Sequence, residues 1–240
     1  MDRFKATMKI AAVLKKIAIL VLVLLVPGFL YYLLVAKGKN RYLTLPVYGP
    51  KSVLKTTHKV GHNDVPDTLY HSLPNFSLTD QNSNAVSQKT FTNKIFIASF
   101  FYTHCQGVCT QINNNINQLA ATYAGNKMVY FVSFTVDPMR DSVKALKDYA
   151  NSIKPASARW LFLTGDSSAI YHLAQNGFLV NALQTGRDDF IYSDKLILID
   201  ENMRIRGYYT GASTTEVSKL DDEIKVLIKE ELLKNDSPLY

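Results

Sequence analysis

Residues 94–110 read KIFIASFFYTHCQGVCT. The first eight form a nearly continuous apolar run of strand length, as a central strand covered on both faces requires. Cys105 and Cys109 follow at once, and beyond them Ile112, Ile116, Leu119, Ala120 and Tyr123 recur at the spacing of a helix's inner face. Strand, cysteine loop and helix are therefore predicted in that order, with Gly125 closing the helix in a left-handed cap.

The flanking sequence repeats the alternation. Residues 128–135, MVYFVSFT, predict a second buried strand, and Asp141 is placed to cap a helix whose Val143, Leu146, Tyr149 and Ala150 face inward. Residues 160–163 predict a third strand and residues 166–175 a short helix ended by Gly177. Residues 195–200 and 204–209 predict an antiparallel hairpin turning at Glu201 and Asn202, and Ser213 with Glu216 forms a capping box before a last helix through Val217, Leu220, Ile224, Leu227 and Ile228. Ahead of the first buried strand, residues 75–78 and a turn at 80–84 predict a short hairpin. The order β-α-β-α-β-α-β-β-α predicts an α/β, thioredoxin-like fold: a central mixed sheet with helices on both faces. No internal repeat, glycine-rich phosphate loop, nucleophile elbow or zinc-protease motif is present in the sequence.

A chain of 240 residues, 47% hydrophobic, holds one well-buried domain with accessory segments. Its formal charge of +7 is unevenly placed: residues 1–60 carry eleven Lys and Arg against Asp2 alone, whereas residues 61–240 carry 16 basic and 19 acidic side chains. A slightly acidic folded part lacks the clustered cations that phosphate binding needs, which argues against nucleic acid as a partner.

The run at 17–36, IAILVLVLLVPGFLYYLLVA, has no charged residue and at 1.5 Å per residue matches the ~30 Å hydrocarbon core. It predicts a transmembrane helix, with Pro27 and Gly28 inside it and Tyr31 and Tyr32 as an interfacial anchor. It is too long for a signal peptide and no small-residue cleavage site precedes Lys37. Arg3, Lys5, Lys9, Lys15 and Lys16 on one side balance Lys37, Lys39, Arg41, Lys51 and Lys55 on the other, so charge does not orient the helix. The short leading tail and the close cysteine pair favour a bacterial inner-membrane protein facing the oxidising periplasm. The predicted organisation is a tail at 1–16, an anchor at 17–36, an irregular linker at 37–66 and a domain at 67–240.

The cysteines lie between a buried strand and a helix N-terminus, where the helix dipole stabilises a thiolate relative to a free cysteine of pKa about 8.5. Three intervening residues allow both sulfurs to chelate a soft ion such as Cu(I), and also to close into a disulfide. A bridge over so short a loop stabilises a fold by only about 2 kcal/mol, little for a purely structural role. A closed zinc site wants four ligands, and the chain supplies two cysteines and scattered histidines.

The sequence resembles the SCO/SenC family, membrane-anchored thioredoxin folds that assist cytochrome c oxidase assembly through a C-x-x-x-C copper site. The resemblance rests on Leu73-Pro74-Asn75-Phe76, residues 100–109, Val136-Asp137-Pro138-Met139-Arg140-Asp141 and residues 196–206, and spans about 65–235 plus the anchor. It implies copper held by Cys105 and Cys109, with a histidine eight residues before the aspartate that ends the later strand; counted back from Asp200, that position is Tyr192. A phenol of pKa about 10 is a hard, mostly protonated donor, poorly suited to Cu(I), and the missing imidazole weakens Cu(II) most. The prolines usual after each cysteine are replaced by Gln106 and Thr110.

His104 is the nearest substitute ligand, weighed against a surface histidine beside the site. His58 and His62 have i, i+4 spacing that matters only on a helix, and His71 and His172 read as ordinary hydrogen-bonding residues. Asp137 is expected to support the cysteine loop, while Asp188-Asp189 and Asp221-Asp222 read as solvated carboxylates. Two functions follow. One is a metallochaperone carrying copper, as Cu(I), to a respiratory oxidase; the other is a periplasmic thiol-disulfide oxidoreductase in which Cys105 and Cys109 form the redox pair and reduce a client's cysteines.

Overall fold

The computed structural model describes residues 2–37, 44–60, 63–105, 107–186 and 190–236, and the chain divides into two units, residues 1–43 and 44–240. The first holds helix α1, Asp2–Lys37, which runs through Pro27 without a break. Its segment Leu14–Leu33, with mean hydropathy 2.2, is long and apolar enough to cross a membrane.

The second unit opens with a correction. Strands β1 (Lys51–Val60) and β2 (Asn63–Tyr70) pair antiparallel where an irregular linker is expected. Both strands are largely exposed on both faces, so no apolar alternation marks them; β-branched Val and Thr and the backbone ladder hold them instead. Residues 44–50 are also tied down, with the Tyr48 N–H donating to the Ile205 carbonyl at 2.8 Å and Leu45 buried.

Strands β3 (Ser77–Asp80) and β4 (Ala85–Ser87) form the predicted short hairpin, its turn held by the Asp80 carboxylate, which accepts from the Asn82 and Asn84 N–H groups at 2.8 Å. Strand β5, Ile95–Phe101, is buried at all seven positions. It leads to helix α2 (Val108–Thr122), strand β6 (Val129–Thr135), helix α3 (Val143–Ile153), strand β7 (Trp160–Thr164) and helix α4 (Ser167–His172), which continues as a π turn through Gly177. A small hairpin, β8 (Ala182–Gln184) and β9 (Phe190–Tyr192), precedes β10 (Lys195–Ile199), β11 (Ile205–Thr210) and helix α5 (Thr214–Asp236).

Seven strands make one sheet in the order β11-β10-β5-β6-β7-β3-β4. Strands β5, β6 and β7 are parallel, and β10, β11, β3 and β4 complete the sheet with antiparallel pairings. This is the predicted thioredoxin-like arrangement. The pleat sends Ile95, Ile97 and Phe101 of β5 into a core shared with α2, α3 and α5, and sends Phe96, Ala98 and Phe100 into a second core with Phe91, Ile170 and Phe178. That two-sided burial is why the strand reads as an unbroken apolar run. Its one hydroxyl, Ser99, is satisfied by Ser133 on β6 at 2.8 Å, and Ser133 also accepts from the Trp160 indole N–H at 2.9 Å.

Two helix ends differ from expectation. Gly125 is not in the left-handed region; α2 ends at Tyr123, whose N–H donates to the Leu119 carbonyl at 3.0 Å, and Asn126 continues the turn by accepting from the Met128 N–H at 2.8 Å. Ser142, not Asp141, caps α3 by accepting from the Ala145 N–H at 3.3 Å, because the Asp141 carboxylate is committed elsewhere.

Candidate functional site

Strand β5 ends in the sheet's centre, and the turn from it into α2 carries both cysteines. Cys105 precedes the helix and is half-buried, while Cys109 lies in its first turn and is buried. Their sulfurs are joined as a disulfide with the Cα atoms 5.9 Å apart. Gly107, between them, has φ +68° and ψ −101°, a conformation closed to most side chains, and its carbonyl accepts from the Thr110 N–H at 3.1 Å as the helix begins.

The loop is anchored from below by a carboxylate that sequence reasoning assigned to a helix cap. Asp141 is fully buried and accepts from the Thr103 N–H at 3.1 Å, the Thr103 hydroxyl at 2.5 Å and the Thr135 hydroxyl at 2.5 Å. The last residue of β6 and the residue two before Cys105 are thereby tied to one side chain. Asp137, expected to support the loop, instead forms an ion pair with Arg140. It reaches the site indirectly, because the Arg140 guanidinium lies 5.7 Å from the centre of the Phe190 ring, and Phe190 packs on Tyr102 at 5.2 Å.

Phe190 opens β9, and Tyr192 closes it. The Tyr192 hydroxyl stands 3.1 Å from the Cys105 sulfur and 3.0 Å from the Cys109 sulfur, with its ring edge-on to Tyr102 at 5.8 Å. Neither sulfur of a disulfide carries hydrogen, so the phenol proton is the donor in both contacts. Burial, with the neighbouring phenols of Tyr102 and Tyr149 and the carboxylate of Asp194, pushes the Tyr192 pKa up to about 12. At neutral pH the group is a neutral hydrogen-bond donor.

The histidines lie apart from this centre. His104 is exposed and its Nδ1 faces the Thr103 hydroxyl at 3.1 Å. His58 is on β1, paired with Asp67 at 2.6 Å, so its spacing to His62 is not helical; His62 itself lies outside the described residues. His71 donates from Nε2 to the Gly177 carbonyl at 2.7 Å, and His172 is exposed at the end of α4. Asp188, Asp189 and Gln106 lie outside the described residues. Asp221 is not simply solvated: it accepts from the Tyr123 hydroxyl at 2.6 Å as well as from Lys225, so it closes off a buried phenol, while Asp222 is exposed beside Lys225. Among the described residues no cluster of three or more His, Cys, Asp or Glu is disposed to hold a metal ion.

Two chemistries are open to this donor set. The pair can cycle between disulfide and dithiol, exchanging two electrons. Once reduced, two thiolates suit a soft monovalent ion such as Cu(I), whereas the third neighbour, a protonated phenol, offers little to Cu(II). The structure brings together both cysteines and Tyr192, which the sequence singles out, with Thr103, Tyr102, Phe190 and the buried Asp141, whose place at the site it does not. The available signal was two acids four residues apart just beyond a buried strand, where a carboxylate can turn back to its end.

A profile of the family described as SCO1/SenC matches residues 67–228. The SCO1 protein homolog of Bacillus subtilis is 26% identical over 168 residues, spanning 69% of this chain and 87% of that protein. A solved SCO1/SenC family lipoprotein from Bacillus anthracis aligns with a TM-score of 0.61 and 28% identity, covering 66% of this chain and 95% of its own. The structure of Arabidopsis thaliana ScoI with copper bound aligns with a TM-score of 0.55 and 22% identity over 64% of this chain and 98% of its own, a likeness of fold.

Proposed function

The chain belongs to the SCO1/SenC family, and from that membership we propose that it serves the assembly of the copper centre of cytochrome c oxidase, carrying Cu(I) between the thiolates of Cys105 and Cys109. One observation carries the choice of ion: the two sulfurs share one bond's reach at the open end of β5, and the group facing both is a hydroxyl. Two thiolates satisfy Cu(I), which accepts low coordination and soft donors, and the Tyr192 hydroxyl facing them offers little to Cu(II). Copper is the cargo here, received from one protein and passed to another. Helix α1 acts as a single-pass anchor in a bacterial inner membrane, with the folded unit in the periplasm where an oxidase copper site is accessible.

The test is anaerobic titration of the reduced full-length chain, in detergent, with Cu(I) against a competing chelator. Near-stoichiometric uptake is expected, lost in Cys105→Ser and Cys109→Ser, and Tyr192→His should raise affinity, most of all for Cu(II). A reduced chain that takes up no Cu(I) sinks the proposal. The hydroxyl at the imidazole's place favours a second reading, a dithiol that reduces the cysteines of the oxidase's copper-binding subunit before loading. That reading requires the reduced chain to open a client disulfide in the absence of copper.

A further inference from the structure

We propose that Tyr192 is a redox-positioning residue: its hydroxyl, held over both sulfurs, stabilises the reduced Cys105/Cys109 pair relative to the disulfide and sets how readily that pair is reduced. The inference rests on the reading of the two cysteines as the working centre, and it goes beyond it by giving a task to the residue that stands where a histidine ligand is implied.

The hydroxyl is placed by the fold and not by the sulfurs. Tyr192 pairs with Ala182 across the β8–β9 hairpin, and Ala182 is fully buried. Its ring is braced by Tyr102, which in turn packs on Phe190 beneath the Arg140 guanidinium. A donor fixed in this way is already aimed when the sulfurs change state, so no reorganisation is needed to use it.

What changes is the acceptor. A disulfide sulfur is neutral and a weak acceptor, whereas a thiolate takes a charge-assisted hydrogen bond of roughly twice the ordinary strength. In the exchange considered, a client dithiol supplies two electrons and becomes a disulfide, and the Cys105–Cys109 bond breaks. One client proton goes to one sulfur, the other is released to solvent, and the second sulfur remains a thiolate facing the Tyr192 hydroxyl. Cys109 sits in the first turn of the 15-residue helix α2, whose dipole acts in the same direction. Both effects favour the reduced side.

The measurement is the equilibrium of the full-length chain in detergent with dithiothreitol redox buffers, free thiols being trapped by alkylation. Tyr192→Phe keeps the ring and its packing and removes only the hydroxyl. The ratio of reduced to oxidised chain at a fixed buffer should fall about tenfold, equivalent to about 30 mV toward a more reducing couple. Tyr171→Phe is the control, since that hydroxyl is spent on the Val136 carbonyl at 2.7 Å, and the ratio should not move. A Tyr192→Phe ratio within twofold of wild type overturns the inference, as does an equal shift in the control. The copper proposal fails separately. A chain that binds no Cu(I) yet shows the tenfold shift loses only the cargo, and one that binds Cu(I) with an unmoved ratio loses only the role of Tyr192.

Discussion

Asp141 is a buried carboxylate with no Lys, Arg or His paired to it among the described residues, and such a group survives folding only if dipoles replace its water. The Thr103 N–H and the hydroxyls of Thr103 and Thr135 do so, so the cost of removing the carboxylate falls on three donors at once. Asp141→Ala should lower the unfolding free energy by about 3 kcal/mol, from lost hydrogen bonds to a charged acceptor and donors left unsatisfied. Asp141→Asn, which keeps one acceptor oxygen, should cost about half as much. Urea denaturation of the three chains measures this, and a loss below about 1 kcal/mol for the alanine variant would show that the loop is held by something else. The contrast with Asp137 is instructive: its partner Arg140 is about a third exposed, so the pair acts mainly by placing a guanidinium over Phe190.

The β8–β9 hairpin explains what sequence could and could not reveal. Strands β5, β6 and β10 were legible because burial on both faces leaves an apolar run, and its five to seven residues are too few for a helix that crosses a core or a membrane. Strands β8 and β9 have three residues each and alternate burial weakly, so no local pattern marks them, and their pairing depends on what they pack against. The β1–β2 hairpin escaped notice for the opposite reason, since neither face meets a core. The same logic divides the candidate site. The cysteine spacing lies within one short loop and could be read directly, whereas Tyr192 is 83 residues from Cys109 and its contact with the sulfurs follows from the fold. If the hairpin is the device that aims the hydroxyl, weakening its seat should mimic loss of the hydroxyl. Phe190→Ala removes the contacts with Tyr102 and Arg140 that brace the hairpin, without altering the Tyr192 side chain itself. In dithiothreitol redox buffers the reduced fraction should move most of the way to that of Tyr192→Phe, and a fraction unchanged from wild type would mean that the sulfurs, and not the hairpin, hold the tyrosine.

Across the folded unit, the chain's entry is locked to its last helix by one buried cation. Arg206, on β11, donates to the Leu45 carbonyl at 2.6 Å and the Pro46 carbonyl at 3.1 Å, and pairs with Asp200 at 3.1 Å and with Glu230 on α5 at 2.8 Å. Burial raises the pKa of Glu230, but the Arg206 hydrogen bond and charge outweigh it and hold the group below its ordinary value. Its neighbour Glu231 behaves in the opposite way. Fully buried and facing the Glu201 carboxyl, with Lys234 at 3.1 Å only partly offsetting these effects, it is raised from an ordinary 4.5 to about 7. A carboxyl raised by folding binds its proton more tightly in the native than in the unfolded chain. Its contribution is therefore complete below about pH 4.5 and is lost as pH rises through about 7. At 1.36 kcal/mol per unit the full rise is worth about 3 kcal/mol, and because water reaches the helix end beside Lys234 and screens the repulsion between the two carboxyls the contribution is on the order of 2 kcal/mol. Glu231→Gln carries the neutral form permanently and should flatten this part of the profile. Denaturation at pH 5 and pH 8 should give a stability difference between variant and wild type that favours the variant by about 2 kcal/mol more at the higher pH. An unchanged difference would mean that Glu231 is ionised throughout and that Lys234 and Arg206, at 3.1 and 3.9 Å, neutralise it in place of a bound proton.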